Sequence, residues 1–277
     1  MTQAAVGGHE QGFGKTVRLD RWWAGPLLTV LGLGGFIIYS TWAAFQGAHY
    51  WAGSYLSPLY SPPLFVDPSA PGAAPMNHSW LGEWPSWWPA FLPSSPAFFI
   101  LVFPGAFRAT CYYYRKAYYR SFFGTPPGCA VCPVKQKNYK GETRLFLVQN
   151  LHRYALYFAI IFIFILTYDG FLSLFREVDG ELKFGVGVGS LVLFINAGLL
   201  ACYTFGCHSL RHLMGGGRDR FTQGGTPTLW YRMWEKISWL NERHMLFAWL
   251  SLFWVGFTDF YVRMVSMGYI TDLNTWG

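Results

Sequence analysis

The sequence predicts an all-α integral membrane protein, a bundle of five transmembrane helices. Three observations predict it. Only 13% of the 277 residues are charged and 52% are apolar, against about 25% charged in an ordinary soluble domain. Five stretches are apolar over a length sufficient to cross a bilayer, about 20 residues of helix. The Lys and Arg residues fall almost entirely in the gaps on one side of those stretches. That pattern also disposes of the net charge of +7 as a sign of nucleic-acid binding, because basic loops set membrane orientation.

The first span covers residues 26–48. It follows a polar, Gly-rich segment that ends in Lys15, Arg18 and Arg21 and has no signal-peptide pattern. The second covers 96–114, with Pro104 expected to kink it. The third, 154–175, contains the run YALYFAIIFIFILTY. The fourth, 184–208, ends before the helix-stopping Gly215, Gly216 and Gly217. The fifth is 244–267. No Lys or Arg occurs between Arg21 and Arg108, so segment 49–95 reads as an outer loop. Its Trp80, Trp84, Trp87 and Trp88 suit a cap lying on the bilayer surface. Segments 115–153 and 209–243 are basic and read as cytoplasmic loops. All of the 21 basic residues except Arg176, Lys183 and Arg263 then lie inside. The whole chain is expected to be one multi-pass domain of the cell's inner (plasma) membrane, N-terminus cytoplasmic and C-terminus outside.

This topology sorts the metal-type ligands by depth. Cys111 lies near the inner end of span two. Cys129 and Cys132 form a CxxC, GCAVCP, in the next loop. His152 opens span three, Cys207, His208 and His212 close span four, and His244 opens span five. All of these fall at the cytoplasmic ends. In a reducing compartment a CxxC is more readily a chelating pair than a structural disulfide. His208 and His212, four residues apart, present both imidazoles on one helix face. Two Cys and two His can hold zinc or a Rieske-type [2Fe–2S] cluster. Histidines on different helices, such as His152, His208, His212 and His244, could instead hold one haem b. The outer half offers no histidines for a second.

His152, Arg153, Trp239 and His244, with the run Tyr112–Tyr114, could line a quinone pocket near the membrane surface, although aromatics and Arg belong at any interface. Asp169, Asp259 and Arg263 lie in the outer halves of spans three and five. Asp259 and Arg263 are four residues apart and should neutralise each other.

A five-helix chain with Cys and His at its inner ends and no soluble catalytic domain resembles the membrane-anchor subunit of complex II, succinate dehydrogenase. More narrowly, GCAVCP and CHSLRH make it look like the single-chain actinobacterial anchors, which carry a Rieske-type cluster in place of haem. The resemblance implies flavoprotein and iron–sulfur partner subunits, the latter docked on the basic loops. It implies a cluster that takes their electrons and a quinone that is reduced at the membrane. Carried onto this sequence, it puts the cluster on Cys129, Cys132, His208 and His212, with Cys111, Cys207, His152 and His244 in reserve. The rival expectations are a haem b cytochrome anchor of a fumarate reductase or other quinone oxidoreductase, a transporter, and a zinc-bearing structural anchor.

Overall fold

The computed structural model describes residues 12–134, 145–216, 219–223 and 226–276, and it is mostly helical. Helix α1 runs from Ala24 to Gln46. Its exposed side carries Leu27, Leu28, Leu31, Ile37 and Ile38. A helix that is apolar all round finds its favourable surroundings in lipid. Gly47, at φ 59°, ends it in the left-handed conformation that glycine adopts without strain.

The descent that follows is short and broken. α2 (Ala97–Ile100) meets α3 (Val102–Thr110) at Leu101. The interruption lies where the ring of Pro104 would press on the carbonyl of Ile100, four residues back. The sharper break is at Cys111, which is extended at φ −61° and ψ 130°. The chain then resumes as α4 (Tyr112–Ser121). α5 (Leu145–Leu172) begins well before the expected start of the third span. The fourth span differs from expectation at both ends. Residues Phe175–Val178 and Glu181–Phe184 pair as a hairpin, and α6 covers only Val188–Phe205. The hairpin forms because Asp179 and Gly180 both take positive φ (57° and 77°), the two-residue turn that Asp-Gly favours. α7 (His208–Gly215) and α8 (Leu229–Glu242) form an outlying pair, and α9 spans His244–Ser266.

Among the described residues, four helices are long and apolar enough to cross a membrane: α1, the Asn150–Leu172 part of α5, α6 and α9. Ala97–Thr110 is apolar but shorter, about 21 Å at the helical rise. α1, α5 and α9 run one way, α3 and α6 the other. The lower end, where the described chain begins, holds Cys111, His152, Cys207 and His244. The upper end holds segment 49–95 and the C-terminal tail, tied in by Tyr55 and Tyr261 donating to Asp272 at 2.7 and 2.6 Å.

Segment 49–95 is mostly irregular, yet residues 55–63 are all buried. Non-helical chain inside a membrane bundle is tolerable where protein covers it. Here it is fastened to three helices: Ser57 donates to Asp259 on α9, Tyr60 to the Ala43 carbonyl on α1, and Ser61 to Asp169 on α5. Asp259 also takes the Tyr39 hydroxyl at 2.6 Å and the Arg263 guanidinium at 3.4 Å. The expected neutralisation of Asp259 by Arg263 is thus present, with both side chains fully buried.

Candidate cofactor site and adjoining cavity

Two helix breaks and two intact helices build the site. Cys111 occupies the break between α3 and α4. Cys207 caps α7 in an extended conformation, its sulfur accepting the Ser209 amide at 3.4 Å. An extended residue between two helices turns its side chain out of the helical row, and here both thiols are free and buried. The imidazoles come from α5 and from the first residue of α9. His152 Nε2 lies 3.0 Å from Cys207 Sγ, and His244 Nε2 lies 3.5 Å from Cys111 Sγ. Thr110 Oγ1, 2.9 Å from His152 Nδ1, fixes the orientation of that ring. His244 Nδ1 is buried without a hydrogen-bond partner among the described residues.

The two Cys–His pairs share one aromatic wall. His152 stacks on Phe107 with centroids 4.8 Å apart, and His244 on Tyr203 at 4.9 Å. Phe107 and Tyr203 meet edge to face. Behind that wall lies a largely apolar cavity of about 300 Å³, lined among others by Leu33, Leu59, Gly105, Phe107, Arg108 and Tyr203. Arg108 is its cationic group. It donates to the Ala248 carbonyl at 3.2 Å, to Ser251 at 3.0 Å and to the Tyr114 hydroxyl, and it sits 4.7 Å over the Tyr203 ring.

The residues favoured from sequence are placed elsewhere. Cys129 is exposed and Cys132 half-buried in a loop strapped down by the N-terminal segment. Gly14 donates to the Cys132 carbonyl (3.1 Å), Cys132 to the Lys15 carbonyl (2.9 Å), and Thr16 to the Ala130 carbonyl (2.7 Å). Arg18 bonds the Cys129 carbonyl and pairs with Asp20, whose carboxyl is held below its usual range by that hydrogen bond. His208 and His212 are exposed on α7; His212 Nδ1 lies 3.4 Å from Arg153. Among the described residues no hydrogen bond joins the CxxC to either histidine, and no three His, Cys, Asp or Glu side chains converge on one ion. Of the expected quinone set, His152 and His244 belong to the site just described. Arg153 stands by His212, and Trp239 is 52% exposed on α8 with Arg243 stacked 4.3 Å above it. None of the four lines the cavity behind the wall. Sequence reasoning passed over Phe107, Arg108 and Tyr203. Their one visible signal was position, at or within one turn of Cys111 and Cys207.

Fold and site define a helical membrane protein that keeps its chemistry-bearing residues inside the bundle near one end. Comparison with known proteins gives the family. The family model described as actinobacterial succinate dehydrogenase subunit SdhC matches residues 24–268, and the chain belongs to that family. It is a membrane subunit of succinate dehydrogenase, complex II. A solved structure, the Mycobacterium smegmatis Sdh1 complex in the apo form, contains a similar chain. That chain is 42% identical, with a TM-score of 0.80, over 95% of this chain and 94% of the other. No curated protein sequence matches.

Proposed function

We propose that this chain anchors succinate dehydrogenase to the membrane and reduces quinone there, with a Rieske-type [2Fe–2S] cluster held by Cys111, Cys207, His152 and His244. The observation that carries the reading is the shared wall: the rings stacked on the two histidines, Phe107 and Tyr203, also line the cavity. The donor set fits the group. Two thiols and two imidazoles are the Rieske complement, and a buried imidazole nitrogen without a partner is costly unless something binds its ring. When bound, such a cluster supplies one-electron transfer at a potential raised by its imidazole ligands.

The chain's own residues do the rest. The apolar lining accepts a quinone ring and the start of its tail. Arg108 offers a hydrogen-bond donor and a positive charge to a ring oxygen. The packed wall excludes water between the ligand residues and the cavity. α2 and α3, continued through Cys111 into α4, make the fifth crossing. The lower end is cytoplasmic, as the basic residues direct. There the iron–sulfur subunit docks on the basic loops, with the flavoprotein that oxidises succinate beyond it. The match to a chain of a solved Sdh complex supports that assembly.

The test is a paired measurement on the purified, reduced complex: EPR for a Rieske-type signal and an optical spectrum for haem b. A Rieske signal without haem bands is expected. Haem bands without that signal would hand the histidines to haem and overturn the cluster.

A further inference from the structure

The upper floor of the cavity is built by segment 55–63, whose Leu59 lines it. Two carboxyl groups border this floor in different circumstances. Asp259 is saturated by Arg263, Tyr39 and Ser57. Asp169 has the Ser61 hydroxyl as its hydrogen-bond partner, and among the described residues no Lys, Arg or His faces it. On α5, Ala159, Ile163 and Leu166 line the cavity. Asp169 follows Leu166 by three residues, on the same face and about 4.5 Å further up. An ionisable side chain inside a membrane bundle without a counter-charge is a functional group by default.

Above Asp169 the polar groups continue to the surface. Ser173 Oγ donates to the Gly170 carbonyl at 2.6 Å. The Ser173 carbonyl takes the hydroxyls of Ser190 at 3.0 Å and Ser54 at 3.3 Å. Ser54 sits in the turn with exposed Gly53. Hydroxyl groups thus lie along α5 and its neighbours between the upper face and Asp169, the titratable group above the cavity floor.

We propose that Asp169 passes protons from the upper face to the cavity during quinone reduction. The inference rests on the reading of the cavity as the quinone site. Quinone takes two electrons, delivered by succinate oxidation, and two protons to become quinol. The Asp169 carboxyl gives up a proton toward a quinone oxygen. The carboxylate regains one from water entering on the Ser54 side of the upper face, twice per quinol. Asp259 cannot substitute, because its oxygens already hold three donors.

The whole complex, reconstituted into phospholipid vesicles with a trapped pH-sensitive dye, tests this. Asp169→Asn, which keeps a hydrogen bond to Ser61 but no exchangeable carboxyl proton, should slow quinone reduction by on the order of a hundredfold. Asp169→Glu should restore most of the rate and displace its pH profile. Neither variant should alter succinate oxidation by a soluble artificial acceptor. Ser61→Ala, which loses the contact and keeps the carboxyl, should retain most of the rate. Equal loss in Ser61→Ala and Asp169→Asn would make the contact structural and overturn the proposal. Proton uptake from the compartment facing the lower end would also overturn it. Gly105→Trp, which fills the cavity, separates the two ideas. A raised KM for quinone beside a wild-type rate in Asp169→Asn sinks the relay and leaves the cavity reading standing. An unchanged KM in Gly105→Trp sinks the cavity reading and the relay with it.

Discussion

The Asp259 cluster near the upper end and the Cys–His cluster at the lower end handle buried polarity in opposite ways. At the upper end every oxygen of Asp259 is occupied, by Tyr39, Ser57 and Arg263, and Arg263 also reaches the Ala48 carbonyl at 2.8 Å. At the lower end two thiols and two imidazoles meet in pairs, and His244 Nδ1 has no hydrogen-bond partner among the described residues. A saturated network holds a fold together. An unsaturated one in a close-packed interior is a cost that a ligand offsets. The upper end is therefore read as a fastening and the lower end as a receptor.

The sharpest way to break this comparison is at the thiols. Cys111→Ser or Cys207→Ser should remove chain-bound iron and acid-labile sulfide almost completely and abolish quinone reduction, with the fold retained. Cys129→Ser and Cys132→Ser should keep both. Retention of full iron in Cys111→Ser would return the CxxC to first place.

Next in size is the fastening. Asp259→Ala leaves the fully buried Arg263 without its counter-ion, a loss of about 3–5 kcal/mol for a buried pair broken on one side. Thermal unfolding of the complex in detergent should show it. Exchanging both residues for apolar ones of similar volume should recover most of the loss. A single variant as stable as wild type would mean that the pair does not hold α9 to α1 and segment 49–95.

A smaller effect is expected in the cavity. A Cβ at Gly105 would meet no other atom within 4 Å, so Gly105→Trp enters open space and should not unfold α3. It should raise the KM for quinone by on the order of tenfold, about 1.4 kcal/mol, and leave succinate oxidation by a soluble acceptor unchanged.

The sequence showed the membrane helices because hydropathy and loop charge act over 20 residues at a time and tolerate local irregularity. It showed that Cys and His gather near the lower end for the same reason. It did not show which of them meet. The CxxC and the His208–His212 pair stood out because they are close in sequence. The structure instead joins residues 42 to 133 positions apart: Thr110 with His152, Cys207 with His152, Cys111 with His244. Such contacts depend on helix direction and on breaks at Cys111 and Cys207, and neither break carries a Pro or Gly at the cysteine itself to announce it. Gly206, just before Cys207, is the nearest hint. The hairpin at 175–184 falls where hydropathy gives a short loop between the third and fourth spans, with Phe175 and Phe184 as span ends, although Asp179–Gly180 is a legible turn.

The smallest predicted effect tests the fastening from its edge. Tyr39 contributes one hydroxyl to Asp259, at 2.6 Å across the interface between α1 and α9. Tyr39→Phe removes that donor and leaves the ring, so packing is kept. Asp259 retains Arg263 and Ser57 and is not left bare. The expected loss is one ordinary hydrogen bond, about 0.5–1.5 kcal/mol, a shift of a few degrees in the unfolding midpoint of a protein this size. Quinone reduction should not change. A loss as large as that of Asp259→Ala would show that the upper network fails as a unit when one member leaves. The upper end would then be as dependent on its last partner as the lower end is on its ligand.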